Sequence, residues 1–284
     1  MRPRIVQADD QIGFFWATPT GNPTSLQALV ADPAEDEADR LVATHLEALD
    51  DALIIAAGRF GEILGGGRGP ADGAERDDLL ELHRVCDRLC FEYAAALEKI
   101  EQPADVRAGK IVGTAALFSI RARAPLGLLG PAPLDGDLDD PGIGVVGGFG
   151  EMLQADPDKP WKGGRWVVRT EEGRRFPLTL SMLFFDSSGT NKEAARKEHR
   201  DALRTVVSAS RLPDADPLAA ACAIDWLLYD WLMAHREGPD SAEIVFPKGY
   251  EGEAALVVTA AAASVAARAT FDPGLVLEPR VGQP

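Results

Sequence analysis

Residues 180–199, LSMLFFDSSGTNKEAARKEH, place an aspartate at the end of an apolar run, then hydroxyl residues and a glycine, then a charged segment. A strand–turn–helix joint of this kind suits ion chemistry. The Asp186 carboxylate offers a hard oxygen ligand fit for Mg²⁺, Ser188 and Thr190 add hydroxyl oxygens, and the N–H groups that open a helix attract anions. The same residues also make a well-capped joint. Thr190 caps the helix, Glu193 completes the capping box, and Gly189 permits the turn. The capped joint is the preferred reading. Asp186, Ser188 and Thr190 remain the candidate metal-binding set.

Around those residues, LFFDSSGT resembles the first motif of haloacid-dehalogenase-type phosphatases, an apolar strand followed by Asp-x-x-Gly-Thr. That resemblance implies a nucleophilic Asp186. The stretch is also similar to the metal-site loop of von Willebrand factor A domains, Asp-x-Ser-x-Ser, which implies Asp186, Ser188 and Thr190 as ligands. Ser188 stands where the phosphatases carry a second aspartate, and no later Gly-Asp-x-x-x-Asp motif follows.

A second constellation is HRVCDRLC. His83, Cys86 and Cys90 share one helix face, and nitrogen and sulfur donors suit zinc or iron. His45 on a neighbouring helix could complete the set. Cys86 also falls on an apolar stripe, where a thiol behaves as a small hydrophobe, so core packing is expected instead. Gly142, Gly144 and Gly147 match a dinucleotide fingerprint in spacing alone. Pro141 precedes them and two prolines follow, so a glycine-rich strand or close backbone packing is expected. Asp135, Asp137 and Asp139 are spaced like calcium ligands. Asp140 replaces the loop glycine and Val146 the final glutamate, which favours a solvated acidic turn. His45, His83, His199 and His235 sit on predicted helices, with no nucleophile at a diagnostic spacing.

These groups must be positioned by the elements around them. Asp32-Pro33 opens a helix with acids in its first turn, and Val42, Leu46, Leu49, Leu53, Ala56, Phe60 and Ile63 form one stripe. A second helix carries Leu79, Leu82, Cys86, Leu89, Tyr93, Ala96 and Ile100. With GGGRGPADG between them, the two read as an antiparallel pair over 34–64 and 74–101. A more apolar segment at 104–123 completes a bundle. Residues 164–186 read as a β-hairpin around EEG. Helices follow over 191–210, 217–237 and 253–270, with a short strand at 243–246. In IDWLLYDWLM, Trp226, Tyr229 and Trp231 widen an apolar face that belongs in a core or an interface. No internal repeat stands out.

The expected fold class is α+β: an N-terminal helical hairpin or bundle, then a small, mostly antiparallel sheet packed against helices. The expected parts are a mainly helical 1–124, a Gly/Pro-rich connection at 125–163, and an α+β part at 164–284. The 284 residues are 46% hydrophobic and 26% charged, a normal globular mix. With 29 basic and 45 acidic residues the net charge is −16, which disfavours nucleic acid and anionic membranes as partners. Three cysteines, no secretory leader pattern and no long Leu-rich run point to a soluble, reduced, cytoplasmic bacterial protein. The function expected is a non-catalytic interaction or assembly subunit, holding a protein partner or a second copy of itself. The alternative is a divalent-metal-dependent hydrolase or binding module at the Asp186 loop. No cofactor is expected, with Mg²⁺ as that alternative.

Overall fold

The computed structural model describes residues 4–8, 11–17, 22–31, 37–65, 73–123, 128, 153–155, 166–169, 175–177, 192–213, 215–237, 243–246, 249–275 and 277. Its helices are Leu26–Val30 (α1), Glu37–Gly65 (α2), Gly73–Lys99 (α3), Val106–Arg123 (α4), Lys192–Ala209 (α5), Pro217–Ala234 (α6) and Glu251–Ala269 (α7). Local chemistry sets several ends. The Asp216 carboxylate accepts from Leu218 N and Ala219 N at 2.9 and 3.3 Å, ahead of Pro217 at the first helical position. Glu37 and Asp39 occupy the first turn of α2. Between α3 and α4 the chain reverses through Glu101, a non-glycine residue at φ 55°.

The α+β expectation is corrected. The body is mostly helical, and no antiparallel sheet forms a layer against it; of the extended N-terminal residues, Trp16 enters the helical core. Among the described residues, extended pairing is confined to short antiparallel ladders and one isolated antiparallel bridge between Arg236 and Ile244. One ladder joins Arg4–Ala8 (β1), Gln11–Ala17 (β2) and Pro23–Thr24 (β3). The other joins Leu153–Ala155 (β4), Trp166–Arg169 (β5) and Arg175–Pro177 (β6). Neither supplies a layer for helices to pack on. The physical reason lies in the helix faces. The apolar stripes of α4, α6 and α7 are covered mainly by other helices, with Ile244 and Phe246 also lying on α4, so no sheet layer is needed to bury them.

The α2–α3 pair buries Leu49, Leu53, Leu89 and Tyr93, while Leu82 is half-buried. Phe60 lies outside the residues whose side chains are described. Helix α4 fits closely against α7 because Gly109 lacks a side chain. A Cβ there would lie 2.5 Å from the Cβ of Ala254. Helix α7 is long and apolar enough to span a bilayer by composition, but half of 252–269 is buried against the rest of the body.

The helices form two triplets that repeat one another, a correction to the expectation of no repeat. Helices α2, α3 and α4 pack mutually, as do α5, α6 and α7, and α4 against α7 joins the two sets. His-Leu-Glu-Ala-Leu at 45–49 answers to His-Arg-Asp-Ala-Leu at 199–203. Asp-Arg-Leu-Cys-Phe-Glu-Tyr at 87–93 answers to Asp-Trp-Leu-Leu-Tyr-Asp-Trp at 225–231. IVGTAALFSIRARA at 111–124 answers to LVVTAAAASVAARA at 256–269. In this alignment Gly109 matches Ala254, its own contact across the α4–α7 crossing. A residue that meets its own equivalent marks a twofold relation between the halves.

Candidate functional site

Among the described residues, a charged network at the centre of the helical body and a groove on its surface are candidate sites. The network is built from equivalent residues of the two halves. Arg123 donates from Nη1 to Asp225 Oδ2 at 2.7 Å and from Nε to Ser119 Oγ at 3.2 Å. Arg268 donates from Nη1 to Asp87 Oδ2 at 2.6 Å and from Nε to Ser264 Oγ at 3.3 Å. The Ser264 hydroxyl donates to Asp225, and His83 Nδ1 lies 3.3 Å from Asp87 Oδ2. All of these side chains are buried. Burial alone would raise the Asp87 carboxyl, but Arg268 and His83 override it and hold the carboxyl well below the usual range. The cavity among these groups is about 10 Å³, room for no more than a water. The network is therefore a sealed lock between halves, with no space for a substrate.

The histidines are also tied into the body. His45 Nδ1 accepts from the Trp16 indole at 2.9 Å, so its Nε2–H donates to the Leu89 carbonyl at 3.0 Å. His199 repeats this in the second half, with Nε2 2.7 Å from the Leu227 carbonyl. His235 Nδ1 lies 2.7 Å from the Trp231 carbonyl. Burial pushes His45 and His199 down to about 4, so both stay neutral at ordinary pH. Cys86, Cys90 and Cys222 are free and buried, and burial raises their thiols. His83 and Cys86 do not join a ligand set. No cluster of three or more His, Cys, Asp or Glu suited to a metal occurs among the described residues.

The groove lies between α3 and α7 and holds about 800 Å³. Phe91, Ala94 and Ala95 of α3 form one wall, Val258, Ala262 and Ala263 of α7 form another, and Leu212, Pro213 and Ala215 of the α5–α6 connection border a third side. At its rim Glu98 and Arg211 form an exposed ion pair at 3.6 Å. A second recess of about 360 Å³ shares Phe91 and Ala95 with it and reaches Glu92. Glu92 Oε1 accepts from Arg88 at 2.5 Å, and the backbone N–H of Leu26 also stabilises the carboxylate. Burial pushes the Glu92 carboxyl up to about 7, against the pull of Arg88.

Asp186, Ser188 and Thr190 lie outside the described residues, as do Asp135, Asp137, Asp139, Gly142, Gly144 and Gly147. Trp231 is buried beside His235, with ring centroids 4.0 Å apart. Trp226 and Tyr229 are half-buried and edge-on to each other at 5.9 Å. The groove escaped the sequence reading because its walls are alanines, which read as ordinary helix. The matched Ser-x-x-x-Arg pairs at 119–123 and 264–268 were the signal that could have found the lock.

No protein-family model matches the chain, and neither a curated protein nor a solved structure does.

Proposed function

We propose that the chain is a non-catalytic protein-binding module whose binding face is the groove between α3 and α7. The observation that carries this reading is a contrast within one helical body. The clustered charged groups are sealed in a cavity of about 10 Å³, whereas a groove of about 800 Å³ with alanine-lined helical walls lies open among the described residues. A cleft whose helical walls are alanine, valine and phenylalanine gains binding free energy from buried area, and polar groups such as Glu98, Gln102 and Arg211 at its edge can fix the orientation of a bound chain. The net charge of −16 favours partners without an anionic surface.

The test is site-specific photocrosslinking in native cells, with the photoreactive residue at Ala262 in the groove or at exposed Glu47 on α2. A discrete protein adduct from position 262, not seen from position 47, is the expected result. Loss of that difference removes the reading.

A further inference from the structure

The two halves do not treat their equivalent clefts alike. The α3/α7 groove of the first half corresponds to the cleft between α6 and α4 in the second. There, the longer connection from α6 to α7 lays down an extended segment, 243–246, with sequence Glu-Ile-Val-Phe. Val245 N donates to His235 O at 2.7 Å, and Glu237 N donates to Glu243 O at 2.9 Å. Ile244 is fully buried and Phe246 is buried. They press on the glycines of α4: a Cβ on Gly113 would lie 3.4 Å from Ile244, and one on Gly109 would lie 3.1 Å from Phe246. Lys110 Nζ reaches Glu243 at 3.6 Å.

In the first half the connection is the short 100–105, with Gln102, Pro103 and Ala104 at the groove's edge. Three wall positions are smaller too, although Val258 stands where the repeat places Gly113. Ala262, Ala263 and Ala94 stand where the repeat places Leu117, Phe118 and Leu232, each of them fully buried. Among the described residues, the first groove thus lacks an inserted extended segment between its two helices, and the α5–α6 connection only borders it. Water fills such an open groove, and a segment that displaces it gains the free energy of burying the apolar walls.

We infer that the α3/α7 groove receives an extended apolar segment of a partner protein, carrying two large apolar side chains two residues apart, as Ile244 and Phe246 are. An extended strand places such a pair on one face, and its backbone N–H groups are free for acceptors. This inference rests on the reading of the groove as a protein-binding face and adds the conformation and chemistry of the ligand.

The probe is a fluorescein-labelled synthetic peptide with this chain's own residues 241–248, SAEIVFPK, titrated into the full chain by fluorescence anisotropy. Saturable binding is expected. It should weaken at least ~10-fold in Ala262→Trp and in Ala95→Trp, which fill the groove, and remain in Glu47→Trp. A peptide with serine in place of the Ile and Phe should not bind. Circular dichroism and thermal melts of each variant report whether the fold is kept, and the two groove variants act as replicates of each other. Absence of saturable binding, or binding indifferent to both groove substitutions, overturns the inference. So does a wild-type dimer in sedimentation that Ala262→Trp dissolves, since the occupant is then a second copy. So does peptide binding that emerges only after residues 278–284 are removed, since the chain's own end then fills the groove. If the peptide fails while the Ala262 photocrosslink persists, the extended ligand is wrong and the protein-binding reading stands. If both fail, the binding reading falls as well.

Discussion

Arg123 and Arg268 occupy the same place in the two halves of the molecule. Each donates from Nε to the serine one turn before it and from Nη1 to an aspartate of the other half. The exchange makes the two ion pairs reciprocal, so breaking either one strands a buried charge. Removing one partner of a buried pair typically costs about 3–5 kcal/mol. Asp87→Ala and Asp225→Ala are each expected to lose about that much in urea unfolding. Asp87→Leu combined with Arg268→Met should recover a large part of the Asp87→Leu loss, because no unpaired charge remains. Equal stability of Asp87→Ala and wild type would show that the pair does not lock the halves.

The α4–α7 crossing gives a second expectation. Gly109 faces Ala254, its own equivalent, so close that an added Cβ forces a shift. Gly109→Ala is expected to cost about 1–3 kcal/mol by overpacking. Ala254→Gly alone should cost about 1 kcal/mol through helix propensity. The double variant should lose less than the two singles added together, because the methyl group has moved across the axis. A strictly additive double-mutant cycle in denaturant unfolding would remove the direct contact.

The helices themselves were legible because their signals are local. Stripes such as Leu49, Leu53 and Ala56 mark a buried face wherever the chain later runs. The error in fold class came from the run at 164–186, whose β-branched and aromatic residues favour strands without saying what a strand would pack on. The wide apolar face around Trp231 was open to either a sheet or more helices, and its partner is a question of tertiary packing. The lock was harder still. Asp87, Ser119, Arg123, Asp225, Ser264 and Arg268 each read as an exposed polar residue on a helix until the halves come together. The repeat was visible in the residues, but its short matches are separated by connections of unequal length, so no fixed period reveals them.

The Asp186 loop can be separated from a simple capped joint by melting curves. If Thr190 only caps a helix, Thr190→Ala costs about 1 kcal/mol, and millimolar Mg²⁺ leaves the Tm of wild type and of Asp186→Asn unchanged. A Mg²⁺-dependent rise in wild type that vanishes in Asp186→Asn would make the loop an ion site, because the carboxylate is its main hard ligand.

Acid should find His199 a weak point. Its ring is buried, with Nε2 against the Leu227 carbonyl and the Trp231 ring 6.0 Å away. Burial, with a smaller push from His235, lowers its pKa from 6.5 to about 4. A depressed histidine binds its proton more readily in the unfolded chain. Its contribution is therefore present above pH 6.5 and lost as pH falls from 6.5 toward 4. The full loss is on the order of 3 kcal/mol, of which about 2 kcal/mol is gone by pH 5. His45 has the same sign, but Glu92 lies 4.0 Å from it and runs the other way. With its carboxyl raised from 4.5 to about 7, Glu92 favours the folded state on acidification through that window. The first-half histidine is thus partly offset, and His199 is the cleaner probe. Gln at 199 keeps an amide N–H near the Leu227 carbonyl and cannot titrate. Urea unfolding at pH 7.5 and pH 5 should show wild type losing about 2 kcal/mol more than His199→Gln between the two conditions. Equal losses in the two proteins would mean that His199 keeps an ordinary pKa in the fold.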